Sequence, residues 1–180
     1  NGTISYWPSN KILWKDLSGQ NAHAKALNLP AFGLNGESIK NFDFDGTNDE
    51  FHQVVSSNNQ EYRDLIVITK PEGNKQFNML FGKQDNQDDS FRLSNGKLNP
   101  SPDQNDWHQN QTGDVFINGQ FNRTNYSVRN NWNFIRSYRS NNTGFGSNFR
   151  YELSTSFSGS SSSPRRYEGK VNLILAYNRK

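Results

Sequence analysis

The chain is interrupted by turn formers every few residues. Short runs of aliphatic, aromatic and β-branched residues are separated by Asn, Gly, Asp and Ser. Apolar residues almost never recur at the three-to-four spacing of a helix, so the chain must be built from short strands. The runs read as strands at Lys11–Lys15, Ile39–Phe44, Glu50–Val55, Arg63–Lys70, Phe77–Lys83, Ser90–Ser94, Asp114–Asn118, Trp132–Tyr138, Tyr151–Phe157 and Lys170–Asn178. The best helical segment, Asn21–Leu29, is short and ends at Pro30. Asn95-Gly96 and Asn118-Gly119 each stand between two runs. Asn-Gly is the preferred pair for a type I′ hairpin, in which both central residues take positive φ, so these turns imply antiparallel pairing. Leu65-Ile66-Val67-Ile68 and Leu173-Ile174-Leu175-Ala176 are nearly continuous apolar runs, each expected to be a central strand buried on both sides or the last strand of the core, in the middle of the sandwich.

Composition narrows the architecture. Leu, Ile, Val and Phe make up about 22% of the 180 residues, just above the level at which disorder is the default. Net charge is only +3, so repulsion does not hold the chain open. Thirteen Phe, seven Tyr and four Trp need a folded environment. A thin core under a very polar surface fits a two-sheet antiparallel β-sandwich, in which each strand gives half its side chains to water. The length suits a single domain. No apolar run approaches the length of a membrane-spanning helix, and no leader is visible. The chain begins at Asn1 and reads as a piece of a longer one. Cysteine is absent, which removes thiolate chemistry and disulfides. The segments Asn99–Gly113 and Ser158–Ser163 read as polar loops.

Three segments carry a family resemblance. Trp14-Lys15-Asp16-Leu17-Ser18-Gly19-Gln20-Asn21-Ala22-His23-Ala24 resembles the opening of laminin G-like modules of the concanavalin A-like superfamily. Phe44-Asp45-Gly46-Thr47-Asn48-Asp49 resembles the turn that follows it, and Tyr167–Arg179 resembles their closing strand. The match weakens between Leu98 and Trp132, where Asn118-Gly119 comes several residues early for the strand that Trp107-His108 would open. The resemblance implies a single jelly-roll domain over residues 1–180. It also implies a non-catalytic binding module for glycans or proteins in a secreted, cell-surface or phage-fibre (virion) protein, although a fold by itself assigns no function.

Catalytic chemistry finds little support. The E-x-D-x-x-E run of glucanases on this scaffold is absent, and Glu152 and Glu168 each stand alone. The histidines His23, His52 and His108 have no nucleophile placed beside them, and there is no G-x-S-x-G elbow. Asp85-Asn86-Gln87-Asp88-Asp89 offers oxygen ligands, but the EF-hand register fails because Ser90 stands where glycine is needed. That run reads as a solvated turn, and calcium is the one cofactor left open. Asp43, Asp45 and Asp49 read as turn residues bonding the local backbone. Arg123, Arg129, Arg136, Arg139, Arg150, Arg165 and Arg166 are scattered, which argues against a nucleic-acid partner.

Carbohydrate is the ligand class that suits the remaining residues. A pyranose offers an apolar C–H face to an aromatic ring and hydroxyls to amides and carboxylates. Trp107 sits among amides, with Asn105, Asp106 and His108 beside it and Tyr126 further on. These five residues are the expected glycan site, with the alternative that Trp107 anchors its loop into the core. Trp7, Trp14 and Trp132 read as core residues. The expected partner is an extracellular or cell-surface glycan, with no membrane insertion. The rival reading is a module that packs on neighbouring domains or subunits of a virion or surface assembly.

Overall fold

Extended backbone dominates the structure, as the punctuated pattern requires. The computed structural model describes residues 4–6, 12–14, 24–28, 30–56, 64–73, 78–82, 90–94, 97–98, 114–121, 126–138, 150–154 and 166–177. Among them are sixteen strands and no helix: β1 (Ile4–Tyr6), β2 (Ile12–Trp14), β3 (Ala24–Asn28), β4 (Ala31–Gly33), β5 (Asn41–Asp45), β6 (Glu50–Ser56), β7 (Asp64–Pro71), β8 (Asn78–Gly82), β9 (Ser90–Ser94), β10 (Lys97–Leu98), β11 (Asp114–Ile117), β12 (Gln120–Phe121), β13 (Tyr126–Ser127), β14 (Asn133–Tyr138), β15 (Arg150–Leu153) and β16 (Glu168–Tyr177). Seven form one antiparallel sheet in the order β12-β11-β14-β7-β16-β5-β4. The other pairings run β1-β2-β3-β6-β15-β8-β9-β10-β13.

The two apolar runs lie where the sequence puts them: β7 and β16 are neighbours in the middle of the seven-stranded sheet. They are not buried on both sides. Val67 and Val171 are fully buried, whereas Ile66, Ile68, Leu173 and Leu175 are only half-buried because they point to the opposite face. The Asn21–Leu29 expectation is also corrected. Ala24–Asn28 is strand β3, with Ala24 and Ala26 buried and Ala26 opposite Phe51. The period-two burial of two small residues against a core ring outweighs the weak helix propensity of so short a segment.

The Asn118-Gly119 turn has positive φ at both residues, 53° and 81°, as a type I′ hairpin demands. Asn35-Gly36 does the same between β4 and β5, at 46° and 78°. Asn95-Gly96 lies outside the described residues, although the flanking strands β9 and β10 pair with Lys97 opposite Ser94.

The core is a chain of rings. Phe42 meets Phe32 at 4.8 Å between centroids and Phe51 at 4.9 Å, while Phe44 meets Phe51 and Tyr167 edge-on. Phe51 belongs to β6, so these rings join the two sets of strands. Buried polar groups make the same connection. Asn78 on β8 accepts the Glu168 N–H at 2.7 Å and donates to the Glu168 carbonyl at 3.0 Å, so its amide acts as a strand segment. Ser154 Oγ accepts the Tyr167 N–H at 3.0 Å. Thr69 Oγ1 donates to the Lys170 carbonyl, so the Tyr167 hydroxyl donates to Thr69. Burial pushes that phenol far above its ordinary range. The Phe44–Asp49 turn is structural, as expected. Asp45 Oδ1 accepts the Thr47 and Asn48 N–H groups, and Asp49 Oδ2 accepts the Asp45 N–H. Asp43 departs from this group, because its carboxylate faces Lys170 rather than the turn backbone.

Candidate functional site

The outward face of the seven-stranded sheet carries the candidate site, and one buried amide sets which residues point there. Asn133 opens β14 and is 2% exposed. Its Nδ2 donates to the Val128 and Asn131 carbonyls, and its Oδ1 accepts from Asn118 Nδ2. With Asn133 and Ile135 turned inward, the alternation of a strand sends Trp132 and Phe134 outward. The sequence reading placed Trp132 in the core. Instead it is half-buried, and its indole N–H donates to Glu37 Oε2 at 3.0 Å. The run into Phe134-Ile135 pointed to the core, but the buried Asn133, bonded to Val128, Asn131 and Asn118, sets the opposite alternation. The alternation Asn131-Trp132-Asn133-Phe134 was the available signal.

Beside Trp132 runs a row of charged side chains. Register places Lys70 next to Lys170, and Lys170 next to Asp43. Glu37 reaches this row from the 34–40 segment between β4 and β5, and its Oε1 accepts from Lys70 Nζ at 2.5 Å. Glu72, just past β7, receives Lys170 Nζ at 2.9 and 3.1 Å and lies 3.4 Å from Lys70 Nζ. Lys170 Nζ also meets Asp43 Oδ2 at 3.1 Å. The 34–40 segment is therefore a strap that crosses the face and is fastened through Glu37 to β7 and to Trp132. Its base is held by Asn35 and Asn41, whose amides bond each other and the Ala31, Leu34 and Ile39 carbonyls. Asn172 Nδ2 donates to the Lys40 carbonyl.

The electrostatics follow from these contacts. The Lys70 bond, and then the Trp132 bond, hold the Glu37 carboxyl below its ordinary value. Lys70 is raised, mainly by Glu37. Burial would lower Lys170, but its bonds to Glu72 and Asp43 outweigh burial and leave it raised. Asp49 is pushed up by burial.

Next to the charged row the same face is apolar. Phe134, Ile68 and Leu173 share one cross-strand row, and Phe121, Phe116, Arg136, Ile66 and Leu175 the next. Phe121 and Phe134 are 46% and 40% exposed, and Phe116 meets Phe121 edge-on at 5.5 Å. Arg136 is held by a bidentate pair with Asp64, whose side chain is fully buried.

Of the five expected glycan residues, Asn105, Asp106, Trp107 and His108 lie outside the described residues. The backbone of Tyr126 opens β13 opposite Leu98. The Asp85–Asp89 run, His23 and His108 are also outside them, and His52 is described only as part of β6. Among the described residues no group of three or more His, Cys, Asp or Glu side chains is arranged to hold a metal ion. No helix among them is long and apolar enough to cross a membrane. Of the scattered arginines, Arg129 and Arg166 donate to backbone carbonyls of Glu72 and Ser154. The chain matches no protein-family model, no curated protein and no solved structure.

Proposed function

We propose that this chain is a non-catalytic recognition module that binds carbohydrate, built as a laminin G-type sandwich of two stacked sheets. One observation carries the reading: a half-buried indole, Trp132, pinned by Glu37 beside a row of carboxylates and ammonium groups on an outward sheet face. A sugar ring can stack its C–H face on such an indole while its hydroxyls reach polar groups alongside. The ring contacts of Phe42 and Phe44 with Phe51 support stacking of the sheets. The bonded Phe44–Asp49 turn and the central place of β16 support the family resemblance. The Trp107 loop remains a second contact region in this proposal. The setting that goes with the reading is extracellular, on a cell surface or a virion.

The exposed Phe121 and Phe134 favour a second reading, a module that packs on a neighbouring subunit. A glycan array probed with a multivalent display of the domain, its Trp132→Ala variant and its Trp107→Ala variant separates the possibilities. Glycan binding lost in Trp132→Ala supports the sheet-face site. Loss only in Trp107→Ala moves the site to the loop. An array with no bound glycan leaves the packing module.

A further inference from the structure

An indole has one N–H donor, at the far edge of the ring, so a bond made there fixes how the ring is turned. Glu37 Oε2 takes that donor from Trp132 at 3.0 Å. The neighbours of Glu37 on the strap, Gly36 and Ser38, are exposed, so packing does little to place its carboxylate. Lys70 places it instead, through a 2.5 Å bond to Oε1. The Lys70 and Glu37 side chains are only 20% and 18% exposed, so solvent screens this pair less than a surface one. Lys70 Nζ also lies 3.4 Å from Glu72, whose carboxylate is gripped by Lys170 at 2.9 and 3.1 Å. Lys170 is paired in turn with Asp43 at 3.1 Å. Register sets Lys70 opposite Lys170 and Lys170 opposite Asp43, so this run of charges crosses three strands and ends, through Glu37, on the indole.

We infer that Lys70 is a positioning residue of the glycan site: acting through Glu37, it holds the Trp132 indole in the orientation on which a sugar ring stacks. The inference rests on the carbohydrate reading above. A ring fixed before the ligand arrives has little side-chain freedom left to lose, so its preorganisation appears as affinity. Without the Lys70 ammonium, Glu37 keeps its charge but loses its anchor, and the carboxylate and the indole can turn together.

The test follows the Trp132 indole N–H resonance in the isotope-labelled intact chain, assigned by its loss in Trp132→Phe, and titrates the chain with hexamers of glucose, mannose and galactose. Lys70→Met removes the ammonium and keeps the stem; Lys70→Ala replaces it should Lys70→Met not fold. In the free protein Lys70→Met should shift the indole resonance and speed its hydrogen exchange. It should also weaken hexamer binding about three- to tenfold. Lys70→Arg restores a cation for Glu37 and should recover both readouts. Glu37→Leu should reproduce both effects of Lys70→Met. An indole signal unchanged in Lys70→Met overturns the inference, and weaker binding alongside it would make Lys70 a ligand contact instead. A moved indole with unchanged affinity overturns it as well. Either result, with hexamer binding still lost in Trp132→Ala, leaves the carbohydrate reading standing. Binding of no hexamer overturns that reading and the inference with it.

Discussion

Two buried polar residues hold the sheet face in register, and each leads to a measurable cost. Asn133 satisfies the carbonyls of Val128 and Asn131 and the amide of Asn118 from a position 2% exposed. Asn133→Leu keeps most of the volume and removes every partner, so it should destabilise the domain by about 2–3 kcal/mol in urea unfolding. Because Asn133 decides that Trp132 faces outward, any glycan binding should fall with it. Asp64 is a buried carboxylate whose charge is met by the Arg136 fork, and Arg136 is itself one-third exposed. Arg136→Ala strips that fork, and the expected loss is about 3 kcal/mol. Combining it with Asp64→Asn should recover part of that loss, because the uncompensated charge is gone. Additive losses in that double variant would show that the pair is not the source of the cost. Neither residue was legible as structural in the sequence. A strand of mixed polar and apolar residues does not announce which polar side chain finds partners inside, and Asp64 and Arg136 are 72 positions apart.

At the scale of elements, more of the fold was legible. The ten runs became strands because alternation and turn chemistry are local. Asn118-Gly119 shows the mechanism, since only a residue tolerant of positive φ can close so tight a hairpin. Gly119→Ala should therefore cost about 1–2 kcal/mol through backbone strain alone, as nothing lies within 4 Å of the added methyl. At Gly169 the same change would place Cβ 2.5 Å from the Lys70 carbonyl, where the β7–β16 pairing begins opposite Pro71, and should abolish soluble expression. The short strands β1, β4 and β13 and the small-residue strand β3 were not read, because two to five residues carry too little pattern to stand against their neighbours. The strap was equally hidden, since its fastening depends on Glu37 meeting Lys70 and Trp132 across the sheet. Its chemistry gives a pH dependence. A carboxyl whose folded pKa is depressed below the unfolded 4.5 stabilises the fold fully above that value, and the contribution disappears as pH falls through the lower, folded value. Acidification should therefore release the strap, seen as a shift of the Trp132 indole N–H resonance below pH 4.5, and Glu37→Gln should remove that titration. An indole resonance that titrates identically in the variant would assign the transition to another group.

For the whole molecule, the open question is what an outward sheet face that is part charged and part apolar is built to meet. Association of any kind costs about 4–15 kcal/mol in lost translational and rotational freedom. One half-buried indole and a few hydroxyl bonds leave little surplus over that, so a single domain should hold a glycan with a Kd near about 1 mM, equivalent to roughly −4 kcal/mol. A docked protein subunit would cover the Phe121–Phe116 and Phe134–Ile68–Leu173 rows as well, and burying them contributes about 25 cal/mol for each Å² of apolar area. The two partners should therefore differ in how affinity depends on valency. Displaying several copies on one particle makes later contacts intramolecular and should raise glycan retention by about 10²–10⁴ without any new contact. A packing interface is already large as a single contact and should gain little. The measurement compares monomeric and particle-displayed domain on the same surface, each with Trp132→Ala and with the pair Phe121→Ser and Phe134→Ser. Weak monomer binding, strong particle binding and loss of both in Trp132→Ala are the outcome expected of a carbohydrate module. Tight binding by the monomer that survives Trp132→Ala and fails in the double Ser variant would assign the face to a protein neighbour instead.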